Sequence, residues 1–192
     1  MEALKQKIRQ EGQILSDTVL KVDSFLNHQV DVPFMMEVGK EFARRFKDDK
    51  ITKIVTIEAS GIIPAMAAAQ ALGVPMVFAK KSNAVTLGEE VYIQQVKSFT
   101  RGTVYDIKLS KKFIASTDRI LIIDDFLAYG HAVLGLAEII RKSGAYLVGA
   151  GIVIEKGFQN GGKNLRENGI RVESLATIEK MFENRILFKE HV

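Results

Sequence analysis

The feature that most constrains the fold is the stretch Arg119–Ala132, RILIIDDFLAYGHA, in the second half of the chain. Four apolar residues, Ile120 to Ile123, stand between charged residues, which is typical of a parallel strand buried on both faces. We expect this strand to end at Asp124. A turn around Gly130 follows, and the next segment has apolar residues at helical spacing up to a stop at Gly144. The pattern predicts a strand, two acids, a tight turn and a helix.

This succession predicts two ligand sites side by side. The free N–H groups and the dipole of a helix start favour an anion in the turn. The turn consists of Ala128, Tyr129, Gly130, His131 and Ala132. The carboxylates of Asp124 and Asp125 suit either a pair of neighbouring hydroxyl groups or a magnesium ion. A sugar phosphate has both parts, and an ordinary strand-to-helix turn is the alternative.

A second turn of the same kind follows a strand predicted over Ile54 to Ile57. It consists of the small or acidic residues Glu58, Ala59, Ser60 and Gly61, and an apolar helical pattern follows. Small residues let backbone N–H groups approach a ligand closely. The next predicted strand, Pro75 to Ala79, precedes Lys80 and Lys81. Because parallel strands share one carboxyl edge, both turns and Lys81 are expected to face one anionic ligand, although such lysines usually face solvent.

The remaining segments predict a hairpin and a second ligand contact. Residues 82–113 alternate around Arg101–Gly102, which indicates a β-hairpin. A strand over Tyr146 to Glu155 precedes Lys156, a mobile turn over 157–162, a short helix, a last strand and a polar tail to Val192. The Lys156 ammonium is a donor that would pair with an oxo group and reject an amino group. A surface lysine is the alternative.

On these residues the chain resembles the type I phosphoribosyltransferases. Their signature is a hydrophobic run, two acids and a phosphate loop that commonly reads Ala-Thr-Gly-Gly-Thr. The loop Ala128–Ala132 reads AYGHA and lacks both threonines, so backbone N–H groups are expected to do more of the phosphate binding. The Glu58–Gly61 turn and Lys156 extend the resemblance over most of the chain.

The resemblance implies an α/β fold with a central, mainly parallel sheet flanked by helices. It implies one domain over residues 1–192, with a core over 33–155 and a flexible hairpin lid within it at 82–113. A small hood over 1–32 and 156–192 would cover the strand ends. Residues 13–31, which have no clean period, belong to this hood.

The function that the resemblance implies is transfer of a phosphoribosyl group from magnesium-bound 5-phosphoribosyl 1-diphosphate to a 6-oxopurine, with release of diphosphate. Xanthine is expected, and guanine or hypoxanthine stay open. The 5-phosphate would bind at Ala128–Ala132, the ribose at Asp124 and Asp125, and the diphosphate at Glu58–Gly61 and Lys81. The purine contacts would be Leu20, Asn27, Lys156 and Phe158, and no general base is obvious. A regulator that senses the activated sugar and binds nucleic acid is the alternative.

The amino-acid composition excludes several classes of protein. The 192 residues are 47% hydrophobic and 26% charged, with a net charge of +4 and no cysteine. Disulfides and thiolate metal sites are therefore excluded. No basic stretch interleaved with aromatic residues indicates nucleic-acid binding, and no apolar run has membrane-spanning length. We expect a cytoplasmic protein, and the resemblance implies a homodimer.

Overall fold

The computed structural model describes residues 1–81, 90–98, 103–183 and 185–190. Its helices are α1 (Glu2–Glu11), α2 (Val32–Arg45), α3 (Ile62–Leu72), α4 (His131–Ser143) and α5 (Gly161–Glu167). Its strands are β1 (Gln13–Ile14), β2 (Leu20–Lys21), β3 (Lys53–Ile57), β4 (Met76–Ala79), β5 (Val91–Ser98), β6 (Thr103–Ser110), β7 (Arg119–Leu127), β8 (Tyr146–Lys156), β9 (Val172–Phe182) and β10 (Arg185–Phe188). No helix in these ranges is long and apolar enough to cross a membrane.

Six strands form the central sheet in the order β10-β9-β8-β7-β3-β4. Neighbouring strands from β9 to β4 run parallel, and β10 alone is antiparallel to its neighbour. Strands β3, β7 and β8 are buried along most of their length because both faces of the sheet are covered. The predicted α/β class is therefore confirmed.

Each face of the sheet has its own apolar core. One core joins the N-terminal segment, α2 and α3 to the sheet, and its largest fully buried side chains include Phe25, Phe42 and Phe46. The other joins α4 to the hairpin formed by β5 and β6 through Val96, Ile107 and Leu136. The predicted hairpin is confirmed in its strands. Its tip at 99–102, together with 82–89, lies outside the described residues.

Three local predictions were wrong. Strand β7 runs to Leu127, three residues past Asp124, because Phe126 and Leu127 continue the pairing with β8. The polar tail contains β10, which pairs with β9 and buries Phe188. The turn after β8 is shorter than the predicted 157–162, because it forms a 3-10 helix over Gly157–Gln159 and α5 already begins at Gly161.

All the turns that carry predicted site residues lie at the same edge of the sheet. The parallel strands β3, β4, β7 and β8 end there, and each is followed by one of these turns. The N-terminal helix α1 contacts β9 and β10. Because β9 and β10 belong to the central sheet, the division into hood and core stays a prediction.

Candidate active site

Asp124 and Asp125 lie in the second half of β7. Asp124 is only 5% exposed, and its Oδ1 accepts a hydrogen bond of 3.0 Å from the Asp125 backbone N–H. Burial, and then the neighbouring negative charge of Asp125, raises the pKa of the Asp124 carboxyl well above its usual range. The pair therefore holds a buried acid that ionises readily only when positive charge or hydrogen-bond donors arrive.

Asn27 links the N-terminal segment to this pair. Its Nδ2 donates to Asp125 Oδ2 at 3.1 Å, across 98 positions of the chain. Asn27 ends a π-helical turn, Asp23–Asn27, whose buried Phe25 and Leu26 anchor it in the core. The amide that we predicted to contact a base thus lies beside the carboxylates.

The turn between β3 and α3 brings Glu58 and Lys81 together. Glu58 Oε1 accepts a hydrogen bond of 2.6 Å from the Lys81 backbone N–H. At the helix start, a Cβ on Gly61 would come within 2.4 Å of Thr56 Oγ1 and 2.6 Å of Asp124 Oδ1. Only glycine lets α3 begin this close to the buried acid, so this turn and the carboxylate pair form one site.

The turn between β7 and α4 has the geometry of an anion site. Gly130 has φ 85°, and its carbonyl accepts the Leu134 N–H at 2.9 Å, which starts the helix. The rings of Tyr129 and His131 stack with centroids 6.5 Å apart. The first N–H groups of the 13-residue helix α4 have no partner within the helix, which suits a phosphate.

A pocket of about 230 Å³ joins Asp124 to this turn. It includes the predicted residues Asp124, Lys156 and Ala128 to Ala132. The residues that we did not predict are Thr18, Val19, Lys97, Tyr105, Phe126, Leu127, Val133 and Gln159. They come from four separate stretches of sequence, so only folding brings them together.

Lys156 points into the pocket from the end of β8. Its Nζ donates to the Thr18 carbonyl at 2.8 Å and lies 5.5 Å from the centroid of the Phe126 ring. Burial lowers the pKa of its ammonium group. The predicted base contacts Leu20 and Phe158 instead pack in or against the neighbouring apolar core and do not line the pocket.

Comparison with known proteins places this geometry in a family. The model of the phosphoribosyl transferase domain matches residues 28–177, which include both turns and the two carboxylates. The chain belongs to this phosphoribosyltransferase family.

Relatives with assigned names are similar along the whole chain. The xanthine phosphoribosyltransferase of Bacillus cytotoxicus is 56% identical over 191 residues, which cover 100% of this chain and 97% of the relative. The protein of that name from Bacillus thuringiensis is 54% identical with the same coverage.

Solved structures of phosphoribosyltransferases share the fold. The adenine phosphoribosyltransferase of Trypanosoma brucei, in complex with AMP, pyrophosphate and ribose-5-phosphate, superposes with a TM-score of 0.77 at 18% identity, covering 91% of this chain and 79% of that one. The Giardia lamblia enzyme in complex with 9-deazaadenine gives a TM-score of 0.69 at 26% identity, covering 76% and 80%.

In this phosphoribosyltransferase a buried carboxylate, Glu155, lies behind the phosphate-type turn and pairs with the exposed Arg166. Glu155 is 4% exposed and accepts hydrogen bonds from Ser174 Oγ at 2.5 Å and from both terminal nitrogens of Arg166 at 3.3 Å. A Cβ on Gly162 would stand 1.8 Å from Glu155 Oε1. On the other side, the Gly161 N–H donates to the Ala128 carbonyl at 3.0 Å. The start of α5 is therefore a spacer between Glu155 and the turn.

The donor set fits a magnesium ion that arrives with its substrate. Within the described ranges no three His, Asp or Glu side chains converge as a preformed metal cage. Magnesium commonly binds one or two protein carboxylates together with substrate phosphates and water. Asp124 and Asp125, next to a phosphate-type turn, offer such carboxylates.

Proposed function

We propose that this protein converts xanthine and 5-phosphoribosyl 1-diphosphate to xanthosine 5'-monophosphate and diphosphate, as a purine-salvage glycosyltransferase. The observation that carries the proposal is the 56% identity, over the full chain, to a relative named xanthine phosphoribosyltransferase. The geometry is in accord, because two adjacent carboxylates stand between two helix-start turns at one edge of the sheet.

The activated sugar would span both turns. Its 5-phosphate would take the N–H groups of Ala128–Ala132, and its diphosphate those of Glu58–Gly61, with Lys81 nearby. The carboxylates of Asp124 and Asp125 would accept hydrogen bonds from the ribose hydroxyls. When bound with this substrate, magnesium would neutralise part of the phosphate charge, and Asp124 and Asp125 are the residues that would hold it.

Catalysis would depend on charge and position. Displacement of diphosphate at the anomeric carbon builds positive charge on the ribose. The ionised carboxylates of Asp124 and Asp125 would stabilise that charge, and the turns would hold the reacting atoms in place. The β5–β6 hairpin would exclude water, which would otherwise hydrolyse the sugar centre. No described side chain is assigned as a general base.

Base recognition would rest on Lys156. Its ammonium group carries three hydrogens, of which the Thr18 carbonyl takes one. The others can donate to the 6-oxo group of a purine, and a 6-amino group would meet them donor to donor. Asn27 would contact the same base from the N-terminal segment. We further propose that the protein is cytoplasmic and forms a homodimer. Light scattering of the purified protein would test the dimer.

The deciding experiment mixes protein, magnesium, 5-phosphoribosyl 1-diphosphate and one base, and follows diphosphate release. We expect release with xanthine and, in competition, a preference for xanthine over guanine and hypoxanthine. Replacement of Asp124 and Asp125 together by asparagine should cut turnover by orders of magnitude while circular dichroism stays unchanged. Absence of release with every purine base would leave only a sensor of the activated sugar.

A further inference from the structure

Gln159 is a pocket residue that the proposed reaction leaves unused. It ends the 3-10 turn Gly157–Gln159, three positions after Lys156, and both side chains line the same pocket. Its Oε1 is buried and accepts no hydrogen bond within the described parts of the chain, a condition that it shares there only with Thr56 Oγ1.

A buried amide oxygen without a donor costs free energy, so it indicates a partner that arrives with the ligand. The partner must be a donor, because an amide oxygen only accepts. It must also belong to a group that binds in the pocket, because Gln159 lines the pocket and no donor among the described residues reaches the oxygen. Ionised phosphate and diphosphate groups are acceptors, and the ribose hydroxyls are assigned to Asp124 and Asp125. The base is therefore the remaining donor.

The neighbouring Lys156 indicates which N–H group of the purine base is the partner of Gln159. All 6-oxopurines have an acceptor, the 6-oxo oxygen, directly next to a donor, the ring N1–H. In adenine the order is reversed, because a 6-amino donor stands next to an N1 acceptor. A lysine donor and a glutamine acceptor three positions apart on one turn match the first order and oppose the second.

We propose that Gln159 is a specificity-determining residue whose amide oxygen accepts a hydrogen bond from the N1–H of a 6-oxopurine while Lys156 donates to its 6-oxo group. The inference rests on the proposed function and deepens it. It assigns recognition of the six-membered ring to the 3-10 turn after β8.

The first test replaces Gln159 by Met, which keeps the length and removes the amide. We expect KM for xanthine to rise about 10-fold, as for the loss of one hydrogen bond, and KM for 5-phosphoribosyl 1-diphosphate to stay within about twofold. The control Gln70→Met makes the same change at an exposed position of α3, outside the pocket, and should leave both constants unchanged. An unchanged KM for xanthine, or an equal rise for both substrates, would overturn the proposal.

The second test changes the ligand and uses the wild-type protein, so it does not depend on a variant that folds. Competition with 1-methylxanthine, which has a methyl group in place of N1–H, should be at least about 10-fold weaker than with xanthine. Gln159→Met, or Gln159→Leu if the first variant folds poorly, should lose most of that discrimination. Equal binding of the two bases by the wild type would overturn the proposal.

The two experiments distinguish a wrong function from a wrong role of Gln159. If the wild type releases no diphosphate with xanthine, the proposed function itself is wrong. If it turns over xanthine but Gln159→Met has wild-type constants, only the role of Gln159 is wrong.

Discussion

Asp124 is the residue at which stability and chemistry oppose each other. Its carboxyl is buried next to Asp125, and burial is the first cause of its raised pKa. Between its unfolded pKa, near 4, and the higher folded one, the native state binds more protons than the unfolded chain. Stability therefore falls as the pH rises through this window. The ionised form that the proposed reaction needs is the one that the fold disfavours.

Asp124→Asn should accordingly make the protein more stable and less active. The amide keeps an oxygen for the Asp125 N–H but carries no charge. We expect a higher melting temperature than wild type at pH 7, a smaller difference at pH 4, and a turnover lower by at least about 100-fold. Thermal melts at both pH values and diphosphate release measure this. Asp48→Asn, at an exposed position, is the control, and a lower melting temperature at pH 7 would contradict the argument.

Lys156→Ala should separate binding of the base from binding of the sugar. The ammonium group is half-buried, contacts Thr18 and lines the pocket. We expect KM for xanthine to rise more than about 10-fold, while KM for the sugar substrate changes about twofold or less. Lys163→Ala, on the exposed side of α5, should change neither constant. A matched rise in both would instead indicate that Lys156 supports packing.

Among the helices and strands, α5 has a role that the sequence did not predict, because it separates Glu155 from the turn at Ala128. Its seven residues begin with two glycines that fit between the Ala128 carbonyl and the Glu155 carboxylate. Glu155 is in turn held by Ser174 of β9 and Arg166 of α5 itself. The phosphate-type turn therefore contacts the start of α5, which packs against the buried Glu155 carboxylate and its exposed partner Arg166.

Gly162→Ala should disturb this support. The added Cβ would overlap Glu155 Oε1, so the helix or the carboxylate must move, at a cost of roughly 1–3 kcal/mol in the free energy of unfolding. Because the same helix contacts Ala128, KM for 5-phosphoribosyl 1-diphosphate should rise as well. Urea unfolding and steady-state kinetics measure the two effects. Asn164→Ala, exposed in the same helix, should show neither, and an unchanged variant at 162 would refute the spacer role.

The hairpin shows how an element can be predicted while its place is not. Alternation of residues predicted β5 and β6, and the structure confirms them. Their attachment to α4 depends on Gly135, where a Cβ would stand 2.5 Å from Val96 Cγ2. Strand patterning reports which residues alternate, but it carries no information about which distant helix leaves room for them.

At the scale of the whole molecule, the two ends of the chain pack against each other. The N-terminal helix α1 contacts the last strand, β10. Phe188 of β10 is 8% exposed and lies beneath Lys5 and Arg9 of α1. We expect Phe188→Ala to lower the free energy of unfolding by roughly 3 kcal/mol, since it removes a large buried side chain. KM values below the melting temperature should stay as in the wild type, because Phe188 does not line the active-site pocket.

Chemical denaturation and kinetics on the same preparation check this separation. Phe182→Ala is the matched control, because Phe182 is 43% exposed in the adjacent strand and should cost much less. A changed KM for xanthine in Phe188→Ala would mean that the closure of the termini also positions the pocket.

Local patterns were enough to predict the sheet class, the starts of α2 and α4, and the two turns that hold Glu58–Gly61 and Ala128–Ala132. These features depend on residues close in sequence, namely apolar runs, small residues and acids at strand ends. The same reasoning ended β7 too early, because the pairing of Phe126 and Leu127 with β8 is a contact between distant segments.

The composition of the pocket was decided by the tertiary structure alone. Thr18, Tyr105 and Gln159 carry no motif, and they meet Lys156 only because three parts of the chain converge at one sheet edge. The burial that raises the pKa of Asp124 and leaves Gln159 Oε1 without a donor also arises only on folding. Desolvation of a group depends on all the atoms that surround it in the folded protein. A local stretch of sequence shows only the residues that are next to that group along the chain.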